Sequence, residues 1–127
     1  MTDAATACAT LPYAMAIEVP EASGAVWLAD RARLLIISDS GHDGTYVEVD
    51  AAGAIVGHGQ LPLGEGGDDV EGLALDGDRI WGLASSGWMR AWRRAADGYQ
   101  LDAAFALDET CQARSVNCGA NYEGGRV

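Results

Sequence analysis

The heptapeptide Asp69-Val70-Glu71-Gly72-Leu73-Ala74-Leu75 decides the fold of this chain, because parts of it recur elsewhere in the sequence. It opens a series of short apolar segments separated by turns rich in Gly, Asp and Ser. These segments are 70–75, 79–84, 88–92 and 99–105. Short apolar runs bounded by such turn residues predict β-strands rather than helices. The stretch therefore predicts a meander of four antiparallel strands.

A second meander precedes the first along the chain. Its segments are 24–28, 34–37, 45–49 and 54–61. The turn Ser40-Gly41 corresponds to Ser86-Gly87, at a spacing of 46 residues. Internal similarity at about 40–50 residues, with four short strands in each unit, is typical of β-propeller blades.

Both ends of the chain carry fragments of the same pattern. Residues 13–19 alternate apolar and polar side chains, which predicts an outermost strand that closes a blade. Asn121-Tyr-Glu-Gly124 repeats the Val-Glu-Gly element 52 residues later, where a third inner strand would start. A complete propeller typically has 4–8 blades, so we expect this chain to be part of a longer protein.

The sequence is therefore interpreted as all-β, a partial β-propeller of about two blades. The predicted divisions are a tail at 1–10, a closing strand at 11–20, blades at 23–62 and 69–108, a loop at 109–118 and the start of a third blade at 119–127. A single antiparallel sandwich or barrel is the alternative, but it gives no reason for the recurring Glu-Gly.

Composition excludes several classes of function. The chain has 8 Arg and no Lys against 19 acidic residues, a formal net charge of −11. Generic nucleic-acid binding needs clustered cations, so the sequence predicts no nucleic-acid partner. At 49% hydrophobic residues the chain is not disordered by composition. No apolar run is long enough to span a membrane, and the first residues do not have the pattern of a signal peptide.

Cysteine usage leaves two interpretations open. Of Cys8, Cys111 and Cys118, the last two lie close enough in sequence to form a disulfide in an oxidising compartment, or both remain free thiols. Zinc is a poor interpretation, because there is no second Cys pair and neither His42 nor His58 has ligand spacing to the cysteines.

Carboxylates at the predicted inner strands are the main candidates for chemistry. Glu71 and Glu123 take equivalent places in successive units, so they would converge on the axis of a ring. Neighbouring anions raise one another's pKa unless a cation lies between them. Calcium prefers oxygen ligands, and Asp69 or Asp39 could complete part of its shell. The alternative is structural, with the glutamate accepting backbone N–H bonds.

Other motifs are weaker. Asp39-x-Gly41-x-Asp43-Gly44, with Asp50 at the twelfth place, is similar to a calcium loop but lacks the third ligand and the flanking helices. We interpret it as a turn.

The Ser85-Ser86 pair also falls at a hairpin turn and lacks the spacing of a nucleophile elbow. Alternation places Trp88, Arg90 and Trp92 on one strand face, where we expect them to pack on the neighbouring blade.

Four short motifs together resemble the phytase-like, or esterase-like, β-propeller family and related bacterial secreted propellers. They are Glu21-Ala-Ser-Gly24, Ile37-Ser-Asp-Ser-Gly41, Asp68-Asp-Val-Glu-Gly-Leu-Ala74 and Asn121-Tyr-Glu-Gly124. The resemblance implies a ring of blades, an acidic site that holds a divalent cation such as calcium, and a periplasmic or extracellular location. The chain looks like an incomplete member, because it has too few blades to close and ends in Gly125-Arg126-Val127.

The resemblance also implies an activity. The parent protein would bind a divalent cation and hydrolyse a small-molecule ester or phosphoester, with Glu71 and Glu123 as metal ligands. A non-catalytic propeller that binds a protein or glycan is the alternative, and a lactonase-like six-bladed enzyme is a third possibility. Open blade faces would favour self-association.

Overall fold

The computed structural model describes residues 7, 19–65 and 67–107, and eight strands account for most of them. The first sheet consists of β1 (Ala22–Leu28), β2 (Arg33–Ser38), β3 (Thr45–Asp50) and β4 (Ile55–Gln60). The second consists of β5 (Val70–Asp76), β6 (Arg79–Ala84), β7 (Trp88–Ala95) and β8 (Gly98–Ala106). Each sheet is an antiparallel meander in sequence order and neither closes into a barrel.

The predicted strands in the two meanders are confirmed, and the chain is all-β over the described ranges. These ranges contain no helix, and so none that could cross a membrane. Of the predicted closing strand at 11–20, only Val19 and Pro20 are described, and neither is in a strand. The predicted loop at 109–118 and third blade at 119–127 lie outside the described residues, as does the tail at 1–10 apart from Ala7.

The two sheets repeat each other in their irregularities as well as in their strand order. The first strand of each sheet has a register shift, between Ala22 and Gly24 in β1 and between Val70 and Gly72 in β5. The third and fourth strands of both sheets are also shifted against each other. The similarity seen in the sequence is therefore a structural repeat.

The two sheets pack against each other around one apolar core. Its buried members are Leu28, Leu35, Ile37, Tyr46, Leu61, Val70, Leu73, Ile80 and Trp92. Full burial of a side chain of this size stabilises the fold by roughly 1.5–3 kcal/mol. The approach is closest at the first strands, where a Cβ on Gly24 would lie 3.3 Å from the Cα of Gly72. Glycine is needed there because the two backbones leave little space for a side chain.

One face of β7 holds the linker between the sheets. It is the face on which alternation in the sequence placed Trp88, Arg90 and Trp92. The register places Arg90 opposite Gly82 and Trp92 opposite Ile80, so both side chains project from the same face, as predicted. Arg90 donates from Nε to the Leu63 carbonyl at 2.8 Å, and Trp92 donates from Nε1 to the Pro62 carbonyl at 2.7 Å.

Arg90 is 1% exposed, and burial lowers its pKa to about 10. It therefore stays charged at neutral pH. Arg90 also donates from Nη2 to the Glu65 carbonyl at 2.7 Å. Because this charged side chain binds two linker carbonyls, it fixes the path of the linker into β5.

Candidate metal centre

Three carboxylates converge where the end of β2 meets the start of β5. Asp39 follows β2, Asp69 precedes β5 and Glu71 is the second residue of β5. One oxygen from each group lies within 4.8 Å of the others. Asp69 is 8% exposed, whereas Asp39 and Glu71 are half-buried. We call these residues the acidic triad.

The fold explains why residues about 30 positions apart meet. β1 pairs with β2 and lies against β5, so the end of β2 is carried to the start of β5. The Asp39 backbone N–H donates to the Glu21 carbonyl at 2.8 Å, which fixes the chain as it leaves β2. Ser23 in β1 donates from Oγ to the Val70 carbonyl at 2.6 Å and joins the two sheets at the same place.

The carboxyl groups of the triad share hydrogen bonds. A hydrogen bond with Asp69, assisted by burial, raises the pKa of Asp39. Burial acts to raise the pKa of Asp69, but hydrogen bonds with Glu71, Ser85 and Asp39 together bring it below its ordinary value. The same contact therefore acts in opposite directions on the two groups: it favours the ionised form of Asp69 and disfavours that of Asp39. A cation bound between them would favour the ionised form of both.

Ser85 is the member of this site that sequence reasoning missed. Its hydroxyl is buried and donates to Oδ2 of Asp69. The repeat contained a usable signal: the Ser85 N–H donates to the Asp69 carbonyl at 3.1 Å, just as the Asp39 N–H donates to Glu21. Ser85 therefore occupies in the second sheet the position that Asp39 occupies in the first.

The sequence-predicted ligands have different outcomes. The structure brings together Asp39, Asp69 and Glu71. Glu123 lies outside the described residues, and so do Cys111 and Cys118 of the disulfide candidate.

The backbone of the turn that is similar to a calcium loop binds a carboxylate, and Asp39, the first residue of the turn, belongs to the acidic triad. The backbone N–H groups of Gly41 and Asp43 donate to Oδ2 of Asp68, at 2.7 and 3.2 Å. Gly41, Asp43 and Gly44 have positive φ angles of 87°, 52° and 78°, a conformation that turns backbone N–H groups toward one point. Asp50 accepts the N–H groups of Ala52 and Ala54 in the next turn. The prediction of a turn is confirmed.

The chain matches no model of a known protein family, and no curated protein matches it. The acidic triad is therefore interpreted from its own chemistry. Its potential ligands are all carboxylate oxygens, without a thiol or imidazole. Such a set suits the hard cations Ca²⁺ and Mg²⁺, and not zinc.

Proposed function

We propose that this chain is part of a β-propeller that binds a divalent cation at the acidic triad and uses it to hydrolyse an ester or phosphoester. The observation that carries the proposal is the meeting of Asp39, Asp69 and Glu71, with one oxygen from each within 4.8 Å of the others. Calcium is the preferred cation, because it accepts several carboxylates in flexible geometry.

Two features of the sheets support a propeller over a sandwich. The sheets repeat each other down to the register shift of their first strands. They also approach most closely at those first strands, β1 and β5, as neighbouring blades do near the axis of a ring. In such a ring the triad lies at the inner edge of the interface between two blades, where a site can gather ligands from both.

The residues of the triad have different roles in holding the cation. Hydrogen bonds with Glu71, Ser85 and Asp39 lower the pKa of Asp69, so its carboxylate is ionised and available as a ligand at neutral pH. The hydrogen bond with Asp69 raises the pKa of Asp39, and a cation bound between the two groups would favour the ionised form of Asp39. The bound cation would supply Lewis acidity toward the scissile oxygen and would lower the pKa of water.

Calcium binding is tested by isothermal titration calorimetry of the chain, with two variants for comparison. D69N removes a triad charge without changing side-chain volume. D43N changes the neighbouring turn and keeps the positive φ of 52°, which Asn also tolerates. We expect D43N to bind calcium as the wild type does, and D69N to bind at least about tenfold more weakly, since one ligand charge is lost. Absence of binding, or equal binding by the two variants, refutes the metal site.

Hydrolysis needs its own test. p-Nitrophenyl phosphate and p-nitrophenyl acetate serve as generic substrates, each with calcium and with EDTA. We expect turnover that requires calcium and is lost in E71Q. Turnover that survives EDTA and E71Q, or no turnover by a calcium-bound chain, refutes the proposed activity while leaving the cation site intact.

A binding platform is the second candidate. It is favoured by large apolar side chains at the surface, including Trp27 at 43% and Phe105 at 44% exposure. Exposed aromatic groups are common anchors for proteins and glycans. A platform would retain a protein or glycan without turning it over, with or without calcium.

A further inference from the structure

At the opposite end of β2 from the acidic triad, arginines line a cavity between the two sheets. The cavity has a volume of about 180 Å³, and its charged lining residues include Arg31, Arg33, Arg94 and Glu48. Because a water molecule occupies about 30 Å³ in the liquid, there is room for a small oxyanion and a few waters. We call this space the arginine cavity.

We propose that the arginine cavity binds a phosphate group, either free or as a monoester on a small molecule. The proposal goes beyond the metal site and does not depend on it. It rests on the number and placement of cationic groups in a chain whose net charge is −11.

Two arginines share one buried carboxylate at this cavity. Nη1 of Arg31 lies 3.7 Å from Oε1 of Glu48, and Nη1 of Arg33 lies 3.4 Å from the same oxygen. Tyr99 donates to the other oxygen of Glu48 at 2.6 Å, and Arg31 in turn donates to the Tyr99 hydroxyl at 2.9 Å. Glu48 therefore neutralises one guanidinium and leaves the charge of the other uncompensated within this cluster.

The remaining acidic neighbours compensate this charge poorly. The Asp30 side chain, 3.8 Å from Nε of Arg31, is 77% exposed, so water screens the pair. The same Nε is buried and has no hydrogen-bond partner. Asp97 also lines the cavity, but its side chain is exposed and forms no ion pair with a described arginine.

Arg94 adds a third guanidinium that no described carboxylate pairs with. It follows Arg93 in β7, and the two side chains therefore project from opposite faces of the strand. Arg93 pairs with Asp78 at 2.6 Å and with Asp102 at 3.1 Å. Arg94 lines the arginine cavity and forms no ion pair within the described ranges.

Glycine keeps the cavity open beside these groups. Gly57 in β4 pairs with Glu48 in β3 and has no side chain to fill the space next to the carboxylate. Tyr46 and Tyr99 meet edge to face at 5.4 Å between ring centroids and form an aromatic wall. Planar guanidinium groups beside a rigid wall suit the tetrahedral oxygens of phosphate, which accept paired N–H donors.

The test titrates the ¹⁵N-labelled chain with inorganic phosphate in the presence of EDTA and at constant ionic strength. The NMR chemical shifts of the backbone amides monitor binding. Glycerol phosphate in a parallel arm distinguishes a monoester from the free ion, and tighter binding in either arm is consistent with the proposal. We expect saturable shifts at Gly57 and Gly98, which line the cavity.

The matched variants are R94Q and R93Q, neighbours on opposite faces of one strand. We expect R93Q to keep the wild-type Kd for phosphate. R94Q should raise the Kd about tenfold, because it removes one charge-assisted hydrogen bond. If R94Q does not fold, R33Q takes its place. No saturable shift in the wild type, or equal Kd values for the R93Q and R94Q variants, overturns the proposal. Because EDTA is present throughout, failure of the metal site does not affect this result.

Discussion

Replacing Gly82 with alanine tests how the second sheet is packed. Gly82 lies beneath the ring of Trp92, which is fully buried. A Cβ added at Gly82 would lie 2.6 Å from Cζ3 and 2.7 Å from Cη2 of that ring. Ordinary carbon contacts lie at 3.4–4 Å, so the ring has to move by about 1 Å. The other end of the indole donates to Pro62 at 2.7 Å, and this shift would take that bond beyond hydrogen-bond distance.

The expected loss follows from these two effects. Overpacking a filled core costs about 1–3 kcal/mol, and the lost hydrogen bond costs about 1 kcal/mol. Alanine also lowers the conformational entropy of the unfolded chain relative to glycine, which offsets about 0.4–1 kcal/mol of this loss. We therefore expect G82A to lower the free energy of unfolding by about 2 kcal/mol, which lowers the Tm of a domain of this size by about 10 °C.

Urea denaturation followed by far-UV circular dichroism measures the change, with G57A as the matched control. Gly57 is also a strand glycine, but its added Cβ would lie 3.7 and 3.9 Å from Glu48 atoms, which is ordinary contact. We expect the control to be neutral or more stable by up to about 1 kcal/mol. Equal stability of the two variants would mean that Trp92 does not lie over Gly82, and would refute the packing of β6 on β7.

Three further substitutions test the charged sites. Asp39→Asn should raise the stability of the metal-free chain at pH 7 by on the order of a few tenths of a kcal/mol, because ionising a carboxyl with a raised pKa disfavours the fold. That gain should vanish as the pH falls through the raised pKa, which thermal denaturation in EDTA at pH 7 and pH 4 measures. Ser85→Ala should cost about 1–2 kcal/mol at neutral pH by removing the donor to Asp69. Since the pKa of Asp69 is lowered, this cost should be present above pH 3.8 and decline as the pH falls through the folded pKa, in urea titrations across that range. Glu48→Gln should cost about 3 kcal/mol by leaving two arginines without their carboxylate, and phosphate should raise the Tm of this variant more than that of the wild type.

The meander of each sheet could be predicted from the sequence because local patterns specify it. Apolar runs and turn residues mark the strands, and Gly41 and Gly87 both adopt the positive φ that such turns require, at 87° and 89°. The repeat also pointed to the start of β5 as a site. Asp69 and Glu71 were named because the motif recurs, and their meeting with Asp39 follows from the contact of β1 with β5.

The arginine cavity could not be predicted, because its residues come from both sheets. Arg31 and Tyr99 are 68 positions apart, and their contact depends on how one sheet lies over the other. One feature of the sequence pointed to this site. Glu48 lies two positions after Tyr46 on β3, so both side chains are on the same face of the strand and project toward the core. A buried carboxylate requires a donor or a cation. Because β3 is buried on both faces, alternation alone does not identify the face that meets the second sheet. It also does not identify the residue that pairs with Glu48.

The positions of the acidic triad and the arginine cavity determine whether the two sites influence each other. Arg33 starts β2 and Asp39 follows its end, so about 20 Å separates the sites at ~3.3 Å for each strand residue. Two unit charges at that distance interact by about 0.2 kcal/mol in water, and the Debye length of about 8 Å at physiological salt reduces this further. The electrostatic coupling therefore changes an affinity by less than about twofold. We expect the phosphate Kd of D69N to equal that of the wild type within this factor, in the same amide titration. A tenfold change would mean that β2 transmits a structural change from one end to the other, and would refute independent sites.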